Sequence, residues 1–382
     1  MRHFTQFSVL YTIHYQISGD DLVTLEGNRF NKQINKSITN LFKNALQHSL
    51  KSPSQAWFFL SMIRKQKKAA KKRIENEKRG LHVPPFMIAS ITHNCNLKCK
   101  GCYAQAQHRK QELEMDKDRL KSVVGEARDL GVSIILLAGG EPLVRRDEIF
   151  EIARGFNEII FPLFTNGTLL NENTMDRIKT LKNIVPVVSI EGYQEETDQR
   201  RGTGVYETLK NVFQRMNKKG VFYGTSITLT QANFETVTEE GFLKDLVYSG
   251  CKLFFFVDYV PVKEGTEDWV LTEGQRSSLL ERIDRLRSQL PGLFIAFPGD
   301  EEAFGGCLAA GRGFIHISPE GNVEPCPFAP FSDTNLKGKS LIEALDSSFL
   351  KEIRDNHALL VEGQGGCALW ENRELVKSLI HK

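Results

Sequence analysis

The stretch Thr92-His-Asn-Cys-Asn-Leu-Lys-Cys-Lys-Gly-Cys-Tyr103 sets Cys95, Cys99 and Cys102 in a C-x3-C-x2-C spacing. Three thiolates this close can hold three irons of a four-iron cluster, because cysteine is the soft ligand such clusters use and full ligation takes four. One iron then keeps an open coordination position, the feature that separates a reactive metal site from a structural one. The structural alternative is a zinc knuckle. It would want a fourth protein ligand, and no residue at a suitable spacing supplies one.

The chain around this stretch has 382 residues, 41% hydrophobic and 25% charged, enough for two or three globular domains. Its seven cysteines, odd in number and scattered, do not form the pattern of a disulfide-stapled secreted protein, so metal ligation is the expected use. The N-terminal residues show neither a long apolar run nor a small-residue cleavage site, and a cytosolic location is expected. The net charge of +3 hides an asymmetry. Arg64 to Arg79 holds nine Lys or Arg against two Glu, a local +7, so the remainder carries 3 − 7 = −4.

Residues 1–80 form a leader, with strand-like alternation near Phe7 to Ile17 and helices around Lys36 to His48 and Pro53 to Lys78. The second helix opens on Ser-Pro-Ser, carries Trp57, Phe58, Phe59, Leu60, Met62 and Ile63, and then turns basic. Residues 53–79 therefore suit peripheral contact with the inner face of an anionic membrane, or an acidic partner. Nucleic acid is not expected. The plainer reading is a helix docked on the core with a solvated cationic tail.

Gly80 to Pro85 is rich in structure breakers and marks a boundary. Beyond it, apolar runs recur at Met87–Thr92, Ser133–Leu137, Ile159–Phe164, Val185–Ile190, Phe222–Thr230 and Leu253–Val260. They alternate with helical patterns at Asp116–Leu130, Arg146–Phe156, Asn173–Leu181, Val205–Lys219, Thr236–Tyr248 and Thr272–Leu290. Six such units with continuous apolar strands specify a parallel sheet covered by helices, with Pro186 and Pro261 at strand starts or ends. Chemistry in parallel barrels collects where the strands end, and the cysteine stretch follows the first strand.

Further polar motifs stand at the next strand ends. Ala138-Gly139-Gly140-Glu141-Pro142 follows the second, Thr165-Asn166-Gly167 the third, and Ser189-Ile190-Glu191-Gly192 the fourth, with Arg201 shortly after. Each alone is a turn or a helix cap. In this order, with the cysteines, they resemble the radical S-adenosylmethionine (radical SAM) superfamily, over about Phe86 to Pro298. The resemblance implies a partial (β/α)6 TIM-type barrel in which Cys95, Cys99 and Cys102 bind a 4Fe-4S cluster, with S-adenosylmethionine chelating the fourth iron. It implies that Gly139, Gly140 and Glu141, with Pro142, meet the methionine amino group. Ser189 and Arg201, with Asn166 and Glu191, would contact the carboxylate and ribose. The family often places an aromatic residue just before the third cysteine, close to the adenine. This chain has Gly101 there, and Tyr103 is the nearest replacement.

The alternation stops beyond Pro298. Gly306 to Pro327 shows two strands around a Pro-Glu-Gly-Asn turn, flanked by Cys307 and Cys326 in a C-x13-G-x4-C form, with Cys367 later and a last helix near Glu371 to Ile380. This resembles the start of SPASM and twitch extensions, an α+β unit carrying auxiliary iron-sulfur clusters. The three cysteines of this extension imply one auxiliary 4Fe-4S cluster, with an open iron or a fourth ligand of another type. An open iron would bind substrate directly, as in the molybdenum cofactor biosynthesis enzymes. His316 and His357 are candidate fourth ligands, although a lone histidine is more often structural, and Cys251 is expected to be core packing.

The expected organisation is thus a helical basic leader over 1–80, a radical SAM partial barrel over 81–300 and a cluster-bearing extension over 301–382. The resemblance implies an enzyme that takes an electron from a flavodoxin- or ferredoxin-type donor and cleaves S-adenosylmethionine. The resulting 5′-deoxyadenosyl radical would abstract hydrogen from a peptide, a metabolite or a lipid. The alternative is a non-enzymatic scaffold or redox sensor that keeps the fold; it has no use for Gly139-Gly140-Glu141-Pro142.

Overall fold

The computed structural model describes residues 19–50, 52–107, 113–356 and 367–381, with side chains described between residues 30 and 380. The strand-like stretch near Phe7 to Ile17 and His357 lie outside these residues.

Nine strands form one sheet: β1 Phe86–Ser90, β2 Ile134–Ala138, β3 Phe161–Thr165, β4 Ile184–Ser189, β5 Gly224–Leu229, β6 Leu253–Asp258, β7 Leu293–Phe297, β8 Phe314–Ile317 and β9 Val323–Glu324. The order is β7-β6-β5-β4-β3-β2-β1-β8-β9, parallel throughout except for the β8–β9 hairpin. The first six strands are those expected from the apolar runs, and they alternate with helices as a partial TIM-type barrel does.

Three strands, β7 at one edge and the β8–β9 hairpin at the other, extend the sheet beyond those six. The run Leu293–Phe297 pairs with β6 as a seventh parallel strand. At the other edge, β8 of the C-terminal hairpin pairs in parallel with β1, Phe86 opposite Phe314 and Ala89 opposite Ile317. The hairpin thereby covers the β1 edge, which would otherwise expose unpaired N–H and C=O groups. Pro186 is a correction. It lies inside β4, opposite Leu163 of β3, and not at a strand end. It is tolerated because the ladder to β5 begins only at Val187, so the missing N–H falls before that ladder starts.

The strands bury both faces. Met87, Ile135, Phe161, Phe254 and Phe256 pack outward under the helices in the larger core. Ile134, Ile160, Val185, Leu253 and Leu293, near the strand starts, face the barrel interior. There they meet two leader helices, α1 Gly19–His48 and α2 Pro53–Glu77. Ile34, Ile38 and Phe42 of α1 and Phe59 and Met62 of α2 belong to this inner cluster, and Phe59 sets its ring against Phe222, centroids 4.9 Å apart. Burying side chains of this size is worth about 1.5–3 kcal/mol each, so the leader helices are held as a plug in the barrel floor. The helix expected from Lys36 begins earlier, at Gly19.

α2 docks on the core and keeps much of its cationic tail in solvent. Phe59, Met62, Gln66 and Arg73 are buried, and Arg73 donates to Gly131 O and Asn35 Oδ1. Burial pulls its guanidinium down to about 10. Trp57 stays 68% exposed, and Lys67, Lys68 and Lys71 face solvent. Among the described residues no helix is long and apolar enough to cross a membrane.

Candidate active site

The loop after β1 carries Cys95, Cys99 and Cys102, all partly exposed, and it lies directly on the turn after β2. Ile91 N donates to Ala138 O at 2.9 Å, Gly140 N to Thr92 O at 2.7 Å and Glu141 N to Asn94 O at 2.8 Å. A Cβ on Gly140 would stand 2.3 Å from Asn94 O, and one on Gly139, at φ +119°, 2.6 Å from Thr92 O. The two glycines are therefore required for the cysteine loop to sit where it does, whatever ligand their backbone also meets.

The residues after the glycines act from behind. Glu141 is fully buried; its carboxylate accepts from Leu143 N at 3.0 Å, Thr165 Oγ1 at 2.7 Å and Asn166 N at 2.8 Å. Burial pushes this carboxyl up, against the pull of those donors. Glu141 thus ties the β2 turn to the end of β3, and the buried Pro142 starts a 3-10 turn beside it. Asn166 donates from Nδ2 to Asn96 Oδ1 at 2.9 Å and reaches Cys95 Sγ at 3.9 Å. Glu191, 1% exposed, accepts from Arg201 Nε at 2.9 Å and pairs with Arg200 Nη1 at 2.7 Å, while its Oε2 is buried without a partner.

Burial raises the thiols of Cys95 and Cys99; Cys99 and Cys102 add to the rise at Cys95 and Cys102 adds to that at Cys99, while Arg201 and Arg200 pull Cys99 the other way. The trio is therefore one electrostatic unit beside a cationic pair. Among the described residues no three His, Cys, Asp or Glu groups converge on a single metal ion. Thiols arranged around a four-iron cluster need not converge in that way, because each binds a different iron.

A second trio forms at the C-terminal extension. Cys326 is hydrogen-bonded to Cys367 and close to Cys307, and these contacts with burial raise its thiol well above the ordinary value. His316 does not present a spare nitrogen to this trio. Its Nε2 meets Ser90 Oγ and its Nδ1 meets Glu324 Oε2, both at 2.8 Å. Cys251 is fully buried, within 3.7 Å of Thr225 Oγ1, and burial pushes its thiol up to about 12. It packs in the outer core.

Tyr103 sets its ring edge-on against Phe328, centroids 5.1 Å apart, and feels both Cys102 and Cys326, so it stands between the two trios. The cysteine loop is also clamped to the extension where His93 Nε2 meets Glu320 Oε1. That contact and Ser318 hold the Glu320 carboxyl down at about 2 despite burial. Gly101, at φ +65°, lies under Tyr259 and Trp269: a Cβ there would fall 2.6 Å from Tyr259 Oη and 2.8 Å from Trp269 Cζ3. Two distant aromatics occupy the space next to the residue before the third cysteine.

Both trios, Gly139, Gly140, Asn166, Ser189 and Arg201 line one cavity of about 950 Å³ at the strand ends. Glu141, Pro142 and Glu191 are not part of its wall. Sequence reasoning missed Asp258, Tyr259 and Phe328, which are part of it. Asp258 and Tyr259 follow the Phe-rich run of β6, so the strand-end rule applied to β2, β3 and β4 would have found them.

Residues 89–246 match the radical SAM superfamily. The chain carries a radical SAM domain over these residues. Its cofactors are accordingly a 4Fe-4S cluster and S-adenosylmethionine. It is 27% identical to an AdoMet-dependent heme synthase of Methanosarcina barkeri, over 77% of this chain and 90% of that protein. It is 26% identical to the mycofactocin maturase MftC of Mycobacterium tuberculosis, over 74% of this chain and 75% of MftC. In fold it resembles Streptococcus suis SuiB, solved bound to S-adenosylmethionine, with a TM-score of 0.61 at 18% identity, covering 77% of this chain and 73% of SuiB.

Proposed function

We propose that this radical SAM enzyme holds its reactive 4Fe-4S cluster on Cys95, Cys99 and Cys102 and one auxiliary 4Fe-4S cluster on Cys307, Cys326 and Cys367. The carrying observation is that two thiol trios, the second drawn from three separate segments, line one cavity at the strand ends. The donor sets fit the groups: soft sulfur ligands, three per cluster, with polar residues beside the first trio. When bound, the cluster and S-adenosylmethionine supply one-electron cleavage of the sulfonium and a 5′-deoxyadenosyl radical that abstracts hydrogen from substrate.

The chain's own residues bind, orient and shield. The backbone of Gly139 and Gly140 faces the methionine end, and Ser189, Asn166 and Arg201 serve the carboxylate and ribose. Arg201 and Arg200 also offset the negative charge of the thiolates. Glu141 and Glu191 act as positioning residues, the first fixing the glycine turn and the second the arginines. Tyr259, backed by Trp269, would stand beside the adenine at Gly101. The electron comes from an external flavodoxin- or ferredoxin-type donor. Trp57 and the basic face of α2 are assigned peripheral contact with anionic lipid; flotation with phosphatidylglycerol vesicles tests this, and equal flotation of wild type and Trp57→Ser removes it.

Anaerobic reconstitution tests the main assignment. About eight irons per chain are expected, falling to about four in either Cys99→Ala or Cys326→Ala. Cys99→Ala loses cleavage of S-adenosylmethionine and Cys326→Ala retains it. A loaded, reduced protein that forms no 5′-deoxyadenosine would sink the assignment.

A further inference from the structure

Closed parallel barrels fill their interior with layers of side chains. Here the interior beneath the thiols stays open, and the cavity of about 950 Å³ runs from Ile38 and Phe42 of the α1 plug up to the cysteine loop. Leu136, Phe164, Val257 and Ile295 point inward from four strands, line it, and are only half-buried because they face this space. A pocket for a drug-sized ligand starts at roughly 300 Å³, so a cavity of this size holds a molecule like S-adenosylmethionine and the two clusters and still leaves room along its apolar wall. A hydrocarbon-walled space of that kind excludes water and takes apolar guests.

The wall also says what the guest is. A peptide backbone would bring N–H and C=O groups needing partners, and these four side chains offer none. Arg201, Asp258 and Arg287 also line the cavity, so the apolar part of a guest belongs against these four side chains and any polar part elsewhere. A hydrocarbon chain loses nothing by entering. The rim beside α1 is made of the neutral polar residues Gln33, Ser37, Asn40 and Asn44, suited to a polar end left at the surface.

We propose that the substrate presents a long hydrocarbon chain, acyl or isoprenoid, which lies in this cavity with the carbon to be attacked beneath the thiols; this rests on the radical SAM assignment above. The chain comes either from a bilayer lipid or from a free amphiphile.

The test titrates the iron-loaded full-length protein with a fluorescent long-chain fatty acid and then competes it with saturated acids from octanoic to hexadecanoic. Saturable binding is expected, with competitors tightening about fourfold for each added methylene until the cavity is full. Leu136→Trp and Ile295→Trp fill the space from different strands and should each weaken the probe by at least about tenfold. Iron content and the thermal midpoint show which variant has folded, and one folded variant suffices. Displacement of the probe by phosphatidylglycerol vesicles assigns the chain to a bilayer lipid, and its absence to a free amphiphile. Binding that ignores chain length, or that survives in a folded tryptophan variant, overturns the proposal. A protein that cleaves S-adenosylmethionine yet binds no long-chain acid refutes only this inference, whereas one that binds the acid without cleaving refutes the assignment.

Discussion

Replacing Gly101 by alanine tests how the cysteine loop is held. Gly101 has φ +65°, a conformation that costs a residue with a Cβ about 1–2 kcal/mol. The new methyl would also meet Tyr259 Oη at 2.6 Å and Trp269 Cζ3 at 2.8 Å, and forcing a methyl into a packed site costs about 1–3 kcal/mol. The sum is about 2–5 kcal/mol, or a shift of the loop that carries Cys99 and Cys102. Tyr259→Phe separates the two terms. It removes the nearest clashing atom and also the 2.8 Å bond from Tyr259 Oη to Thr266 Oγ1, for a loss of about 1 kcal/mol alone. In the double variant part of the steric cost disappears, so the two changes should together destabilise by about 1 kcal/mol less than their sum. Urea unfolding under anaerobic conditions, followed by circular dichroism, measures all four corners. A loss below about 0.5 kcal/mol for Gly101→Ala, or strict additivity with Tyr259→Phe, would refute the packing described here.

Three further outcomes follow from the same geometry. Gly140→Ala places a methyl against the backbone of Asn94 with no side chain to give way, so iron loading should fall by about half through loss of the first cluster alone, read by iron analysis. Asp258 is 5% exposed, its Oδ1 has no partner, and burial raises its carboxyl to about 7. A raised carboxyl makes the folded state hold its proton longer, so stability falls as pH rises from about 4 to about 7 and is flat above. Asp258→Asn should remove that slope and be more stable than wild type at about pH 8 by on the order of 2–4 kcal/mol relative to about pH 4; parallel unfolding curves would contradict it. Cys251→Val should leave iron content unchanged and cost less than about 1.5 kcal/mol, because that thiol serves only as core packing.

The sequence was most readable where one physical pattern acts alone. Apolar runs long enough to be strands, separated by amphipathic helices, located β1 to β6, because burial on both faces leaves little room for polar residues. It was less readable where tertiary contact decides. Leu293–Phe297 reads like any short apolar run until β6 is beside it, and nothing local shows that Phe314–Ile317 will seal the β1 edge. Pro186 looked like a strand boundary because its compatibility depends on where the neighbouring ladder begins. The cysteine spacing grouped Cys95, Cys99 and Cys102, whereas Cys367 could be joined to Cys307 and Cys326 only as the remaining thiol of the extension, because that trio is assembled by tertiary contact. The roles of Gly139 and Gly140 were only half visible: their need to meet the Thr92–Asn94 backbone comes from packing. Gly101 could be flagged from sequence but not explained, because Tyr259 and Trp269 approach it from the far side of the barrel.

The most direct test of the whole account is product analysis after anaerobic reduction of the iron-loaded protein with S-adenosylmethionine. The account predicts 5′-deoxyadenosine and methionine in equal amounts, from wild type and from Cys326→Ala but not from Cys99→Ala. Intact S-adenosylmethionine after reduction of a fully loaded wild-type protein would contradict it.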